Sequence, residues 1–240
     1  MSSSSKPIAP IIGVGPGIGS ATVKKFLEKG YRVVSASRSR KVPDDENNLF
    51  VEVDIKDPST ITQAFATIRS TWNAEVEVVI FNAYTAHFGT TPPGPFETVT
   101  TAEFAEDLTG NVTSLFVTIQ ESLKSFKKLG KGTFAMTGNM LNDMKPLKGA
   151  PMLDLGVGKS AASYMIAQAD EIYRERDGFR FYYVDERNTE GGPAPGVNYA
   201  PSPEGHTDFF WDLVEGKSTE DVPWQATFIT GEGYRKFSKD

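Results

Sequence analysis

The chain has 240 residues, 39% hydrophobic and 23% charged, ordinary proportions for a globular protein able to bury a full core. It has no cysteine and only two histidines, His87 and His206, which excludes disulfides, thiolate nucleophiles and cysteine-ligated metals and leaves too few imidazoles for a typical zinc site. A formal net charge of −6 argues against a generic nucleic-acid or anionic-membrane surface, so neither is expected as a partner and no metal is assigned.

Residues 1–6 lack the apolar core of a secretion signal, and the nearest apolar stretch, 8–12, is far too short to span a bilayer. A cytoplasmic location is the expectation. Residues 8–12 read as a first strand, with Pro10 placed near its start, where a missing ladder donor is tolerable. A helix follows over 17–29, carrying Ile18, Ala21, Phe26 and Leu27, with lysines in its last turn and Gly30 as a stop. Strands are predicted at 32–37 and 49–53, and then Asp57-Pro58 caps a helix. Its stripe of Ile61, Ala64, Phe65, Ile68 and Trp72 has helical spacing, so Phe65 and Trp72 are read as core rather than as a cofactor pocket. The run 76–81 is almost continuously apolar, as in a strand covered on both faces. Further strands are predicted at 133–137, 179–184 and 225–229. The alternation implies an α/β fold: one domain over 1–240, with a doubly wound, mostly parallel seven-stranded sheet and helices on both faces. The Pro- and Gly-rich stretch 191–205 reads either as a linker or as a loop over a substrate, and 185–210 is assigned as that loop.

The junction Gly13-Val14-Gly15-Pro16-Gly17-Ile18-Gly19 follows a strand and opens a helix. Glycines there let main-chain N–H groups approach an anion, and the helix N-terminus adds partial positive charge. The context suits a dinucleotide pyrophosphate better than a merely tight turn. The spacing is G-x-x-x-G-x-G, through Gly13, Gly17 and Gly19, and not GxGxxG. Gly158-Lys159-Ser160 looks like the tail of a P-loop, but Leu153 stands where that motif needs its glycine. At the end of the second strand, where NAD-binding folds place a carboxylate for the ribose 2′-hydroxyl, the chain has Ser37-Arg38-Ser39. A guanidinium there pairs with a 2′-phosphate, so NADP(H) is favoured over NAD(H). The plainer alternative is a solvated basic run that Arg40 and Lys41 extend.

With this glycine pattern the chain resembles the short-chain dehydrogenase/reductase family, a Rossmann-type fold, from about residue 8 to 237. The resemblance implies adenine contacts at Asp54 and Ile55, a cofactor-lining motif at Phe81-Asn82-Ala83-Tyr84 with tyrosine in place of a usual glycine, and the active-site asparagine at Asn111. It also implies self-association into a homodimer or homotetramer through the helices of Asn111 and Lys159. Of the family's Tyr-x-x-x-Lys only Lys159 survives, since Leu155 replaces the tyrosine that exchanges a proton with the substrate oxygen. Asn139 stands at the catalytic serine and can still donate a hydrogen bond to a carbonyl oxygen. Lys159 is expected to bond the nicotinamide ribose. Asp185-Glu186 replaces the Pro-Gly whose backbone clasps the nicotinamide amide. Tyr84, His87, Tyr199, Asp143 and Asp154 are expected in loops overhanging the site, and none is assigned as a replacement acid. Three functions remain open at this point: an NADPH-dependent reductase of a small organic substrate, a non-redox catalyst on the same scaffold, and a dinucleotide-sensing protein without turnover.

Overall fold

A computed structural model describes residues 6–143, 151–216 and 222–237; the serine-rich start at 1–5 lies outside them. β1 (Ile8–Ile12) leads through α1 (Ile18–Glu28) to β2 (Arg32–Ser37) and β3 (Asn48–Glu52), and α2 (Pro58–Trp72) leads to β4 (Val78–Phe81). The short α3 (Pro95–Thr98), α4 (Thr101–Leu108), a π-helical turn (Thr109–Thr113) and α5 (Ser114–Leu129) precede β5 (Thr133–Thr137). α6 (Leu153–Asp177) precedes β6 (Arg180–Glu186), and α7 (Pro203–Glu215) precedes β7 (Gln225–Ile229) and the two-residue β8 (Gly233–Tyr234). Among the described residues no helix is long and apolar enough to cross a membrane.

The strands form one sheet in the order β3-β2-β1-β4-β5-β6-β7-β8, parallel throughout except for the β7–β8 pair. Among the described residues the sheet therefore has eight strands, one more than the expected seven. β8 is too short to show an apolar alternation, and its pairing with β7 is made by a tight turn. The chain winds outward in both directions from β1, which lies between β2 and β4. A crevice opens where the winding reverses, at the carboxyl ends of the strands, and that is where such sheets bind ligands.

Local chemistry accounts for the elements. Asp57 caps α2 by accepting from the Ser59 N–H, with Pro58 at the first helical position, and Ile61, Ala64, Phe65 and Ile68 face inward. Thr100 and Glu103 form a reciprocal capping box on α4. α2, α5 and α6 cover one face of the sheet through Phe65, Ile68, Leu115, Phe126 and Ile166; α1 and α7 cover the other through Phe26, Phe209, Phe210 and Trp211. Each such fully buried side chain contributes about 1.5–3 kcal/mol relative to exposure.

Two expectations need correction. Pro10 lies in the middle of β1, not near its start, and is buried. The neighbouring even positions Ile8 and Ile12 bond across to the β4 side, so the donor that Pro10 lacks falls on that side, where the register begins only at Ile11. The second concerns the expected loop 185–210. Asp185 and Glu186 still belong to β6 and α7 already begins at Pro203, which leaves 187–202 as the connection.

Candidate functional site: two cavities at the strand ends

Gly13 follows β1 directly, with a backbone φ of +96° that favours glycine, and a Cβ there would lie 2.4 Å from the Ala83 amide nitrogen. The turn can thus lie flat against the end of β4. Asn82 fastens it: its Nδ2 donates to the Gly13 carbonyl at 2.9 Å while its Oδ1 accepts from Thr137 Oγ1 at 2.7 Å. Among the described residues, a Cβ on Gly15 would meet nothing within 4 Å and no side chain caps the N-terminus of α1 at Gly17. The turn, including Pro16, opens on a cavity of about 440 Å³ whose far wall carries Ser37, Arg38, Ser39, Asp54 and Ile55. Sequence reasoning takes Lys41 only as part of a basic run, yet it lines the same cavity. Arg40 is engaged by Asp44 at 2.9 Å, and Lys56 pairs with Glu106. Arg38 and Lys41 have no ion-pair partner among the described residues. Ser37 Oγ donates to the Ser39 carbonyl at 2.8 Å, so that hydroxyl is already engaged. The open glycine cradle, the helix N-terminus and two unpaired cations fit a phosphorylated dinucleotide.

A second cavity of about 400 Å³ adjoins the first at Tyr84, which lines both. Its walls are largely apolar, with Phe88, Leu141, Met152, Leu155, Val197 and Tyr199 among them; its polar groups include Asn139, Lys159, Glu186 and His206. Lys159 is buried and its Nζ donates to the Thr137 carbonyl at 2.7 Å. Burial pushes its pKa down to about 8, opposed in part by the nearby Asp185 carboxylate. The backbone of Asn139 is fixed by Tyr183, whose hydroxyl accepts from its N–H at 3.1 Å and donates to its carbonyl at 2.8 Å. Asn139 Oδ1 accepts from the Leu141 N–H at 3.1 Å, which leaves Nδ2 without a partner among the described residues. Asn139 and Lys159 therefore share one cavity. Asn111, in the π-helical turn, is bonded to the chain: its Oδ1 accepts from Thr85 N at 3.0 Å and its Nδ2 donates to Thr85 O at 2.7 Å, and it is not among the residues lining either cavity.

The β6 end divides between the two faces of the sheet. Asp185 is buried against Arg187, whose Nε donates to it at 2.7 Å, and Arg187 also reaches Asp143 at 2.8 Å. Burial raises the Asp185 pKa to about 6, with Arg187 opposing. Glu186 is engaged through both oxygens, accepting from Ser202 N and from Thr230 Oγ1, each at 2.6 Å. His206, in the first turn of α7, is fully buried and lies 3.5 Å from Glu186 by its Nδ1. Burial drives its pKa down to about 4. No motif in the chain points to His206; its place follows from how α7 docks.

Of the five residues expected to overhang the site, Tyr84 and Tyr199 line the second cavity and Asp143 is tied to Arg187. Asp154 is on α6 and not in a loop. It joins His87 and Asp107 in a cluster whose ligand-type atoms lie within 4.8 Å of one another. His87 Nδ1 is 3.0 Å from Asp107 Oδ2, and the His87 N–H donates to Asp107 and Asp154 at 2.6 and 3.2 Å. Burial raises the Asp154 pKa, reinforced by Asp107, whereas hydrogen bonds from Asp154, Thr85 and His87 outweigh burial and lower that of Asp107. The cluster latches segment 85–87 onto α4 and α6.

Comparison with known proteins agrees with this arrangement. The profile of the short chain dehydrogenase family matches residues 7–150. A short chain dehydrogenase/reductase, dmxR12 of Cryptosporiopsis sp. (strain 8999), is 36% identical over 254 residues, covering 98% of this chain and 97% of that protein. Among solved structures, a doubly substituted mutant of a Serratia marcescens short-chain dehydrogenase/reductase superposes with a TM-score of 0.75 at 20% identity, over 94% of this chain and 96% of that one. A short chain dehydrogenase from Burkholderia cenocepacia J2315, solved in complex with NADP, gives 0.72 at 18% identity, over 95% and 89%. These two structural likenesses concern the fold.

Proposed function

The chain belongs to the short-chain dehydrogenase/reductase family, and from that premise we propose that it binds NADP(H) and reduces the carbonyl group of a small, largely apolar organic substrate. The observation that carries the cofactor choice is the pair of unpaired cations, Arg38 and Lys41, facing the cavity beside the glycine turn, while Arg40 is neutralised by Asp44. The main chain of Gly13–Gly19 holds the pyrophosphate, Arg38 and Lys41 the 2′-phosphate, and Asp54 and Ile55 flank the adenine. When bound, the dinucleotide supplies a hydride. Asn139 Nδ2 donates a hydrogen bond to the substrate oxygen and stabilises charge developing there. Leu155 contributes an apolar wall and no proton. Lys159 Nζ, the buried ammonium in the same cavity, bonds the nicotinamide ribose and holds the proton that reaches the substrate oxygen; its depressed pKa makes that proton easier to release. The connection 187–202, which lines the cavity through Pro193, Ala194, Val197 and Tyr199, lies over the substrate.

Calorimetry with NADPH and NADH tests the reading. NADPH is expected to bind more tightly, and Arg38→Ala with Lys41→Ala to remove roughly ten- to a hundredfold of that affinity while leaving NADH unchanged, as expected for lost charge-assisted hydrogen bonds. Equal affinity of the two cofactors in the native protein overturns the phosphate assignment. Substrate-dependent loss of nicotinamide absorbance supports the reductase; turnover without it favours a non-redox catalyst, for which Leu155 in the cavity wall is the supporting feature.

A further inference from the structure

We infer that His206 positions the cofactor: its Nε2 accepts a hydrogen bond from the carboxamide N–H of the nicotinamide ring, replacing the main-chain clasp for which Asp185-Glu186 has no equivalent. The inference rests on the proposal that the chain binds a nicotinamide dinucleotide.

His206 Nε2 is buried with no hydrogen-bond partner among the described residues. Its other ring nitrogen, Nδ1, lies 3.2 Å from the Ser202 carbonyl, which can only accept, so Nδ1 carries the proton and Nε2 presents a lone pair. With its pKa pushed down by burial, the imidazole stays neutral at physiological pH and Nε2 stays an acceptor. The ring is held edge-on against Phe228 and Phe210, with centroids 4.9 and 5.9 Å away, which fixes the direction of the lone pair. Buried polar atoms in folded proteins nearly always find a partner, and His206 is among the residues lining the second cavity.

The cavity at His206 meets the cavity at the glycine turn at Tyr84. Pro203, which opens α7 one helical turn before His206, lies 3.8 Å from where a Cβ on Gly17 would stand. A dinucleotide with its pyrophosphate on that turn and its far end in the second cavity would meet Lys159 and His206 there. On that ring the carboxamide nitrogen is the N–H donor. Neighbouring groups are poorly placed to accept from it. Both Glu186 oxygens are already engaged and Lys159 is a donor; Asp185 Oδ1 is also buried without a partner among the described residues, but Asp185 does not line this cavity.

The test is binding, measured by calorimetry on the full chain with three probes. NADP⁺ carries the carboxamide, its 3-acetylpyridine analogue has a methyl ketone without the N–H, and 2′-phospho-ADP-ribose lacks the ring. The native protein is expected to prefer NADP⁺ over the acetylpyridine analogue by about tenfold, the scale of one hydrogen bond. His206→Leu should abolish that preference while leaving 2′-phospho-ADP-ribose affinity unchanged, which also shows that the variant is folded. His206→Gln, which keeps an acceptor oxygen, should retain part of it. A native protein that binds NADP⁺ and its analogue equally, or a His206→Leu variant that keeps the preference, overturns the inference and leaves the cofactor proposal standing. Failure of the native protein to bind NADP⁺ and 2′-phospho-ADP-ribose overturns both. Should His206→Leu not fold, the native preference and its reduction in His206→Gln decide the matter.

Discussion

Lys159 and His206 are bases taken out of water in the same cavity, and desolvation shifts both the same way, toward the neutral form. The consequence for stability is clearest at His206. Its pKa falls from 6.5 when unfolded to about 4 when folded, so between those values the unfolded chain binds a proton that the folded chain does not. Stability tied to this group is therefore complete above pH 6.5 and is lost on acidification toward pH 4. Denaturant unfolding at pH 7 and pH 4 should show the native protein losing about 3 kcal/mol more than His206→Gln over that range, and equal losses would show that the imidazole is not buried neutral. Asn111 belongs to this scale too. Its side chain gives both hydrogen-bonding groups to the Thr85 backbone, which suits it to holding the segment that follows β4.

At the scale of elements, α6 is the one on which the site depends, because it carries Leu155 and Lys159 and packs on the π-helical turn of Asn111. Two of its glycines should respond in opposite directions to the same change. A Cβ on Gly158 would lie 2.8 Å from Asn111 Cβ, whereas one on Gly156 would meet none of the described residues within 4 Å. Gly158→Ala should force the helix off the turn and destabilise the fold by about 1–3 kcal/mol. Gly156→Ala should stabilise it by about 0.5–1 kcal/mol through lost backbone freedom in the unfolded chain. Thermal unfolding of the two variants checks the pair, and a shared sign would mean that α6 does not seat as closely as the geometry requires. The connection between β6 and α7 belongs to this scale too. Its composition suits either a linker or a cover, and Val197 and Tyr199 in the cavity wall favour the cover.

For the whole molecule, the covered faces of the sheet leave α5 and α6 with large apolar residues outside, including Phe116 at 51% exposure and Tyr164 at 69%. The family resemblance implies self-association through these helices, and burial of such side chains would drive it. Sedimentation should show a dimer or tetramer that Phe116→Glu with Tyr164→Glu converts to monomer; a native monomer would refute the expectation. What could be read from the sequence alone was local: the strand–helix alternation, the cap at Asp57-Pro58, the glycine junction of Gly13–Gly19 and the basic end of the second strand. Each is written within one helical or strand repeat, so neighbouring residues suffice to specify it. What the tertiary structure alone decided was non-local: eight strands instead of seven among the described residues, Pro10 within the central strand, Lys41 beside the cavity at the glycine turn, Asn111 turned to Thr85, and His206 with an unmatched lone pair. Those depend on which strand lies beside which and on how closely helices dock, and packing sets both between segments far apart along the chain.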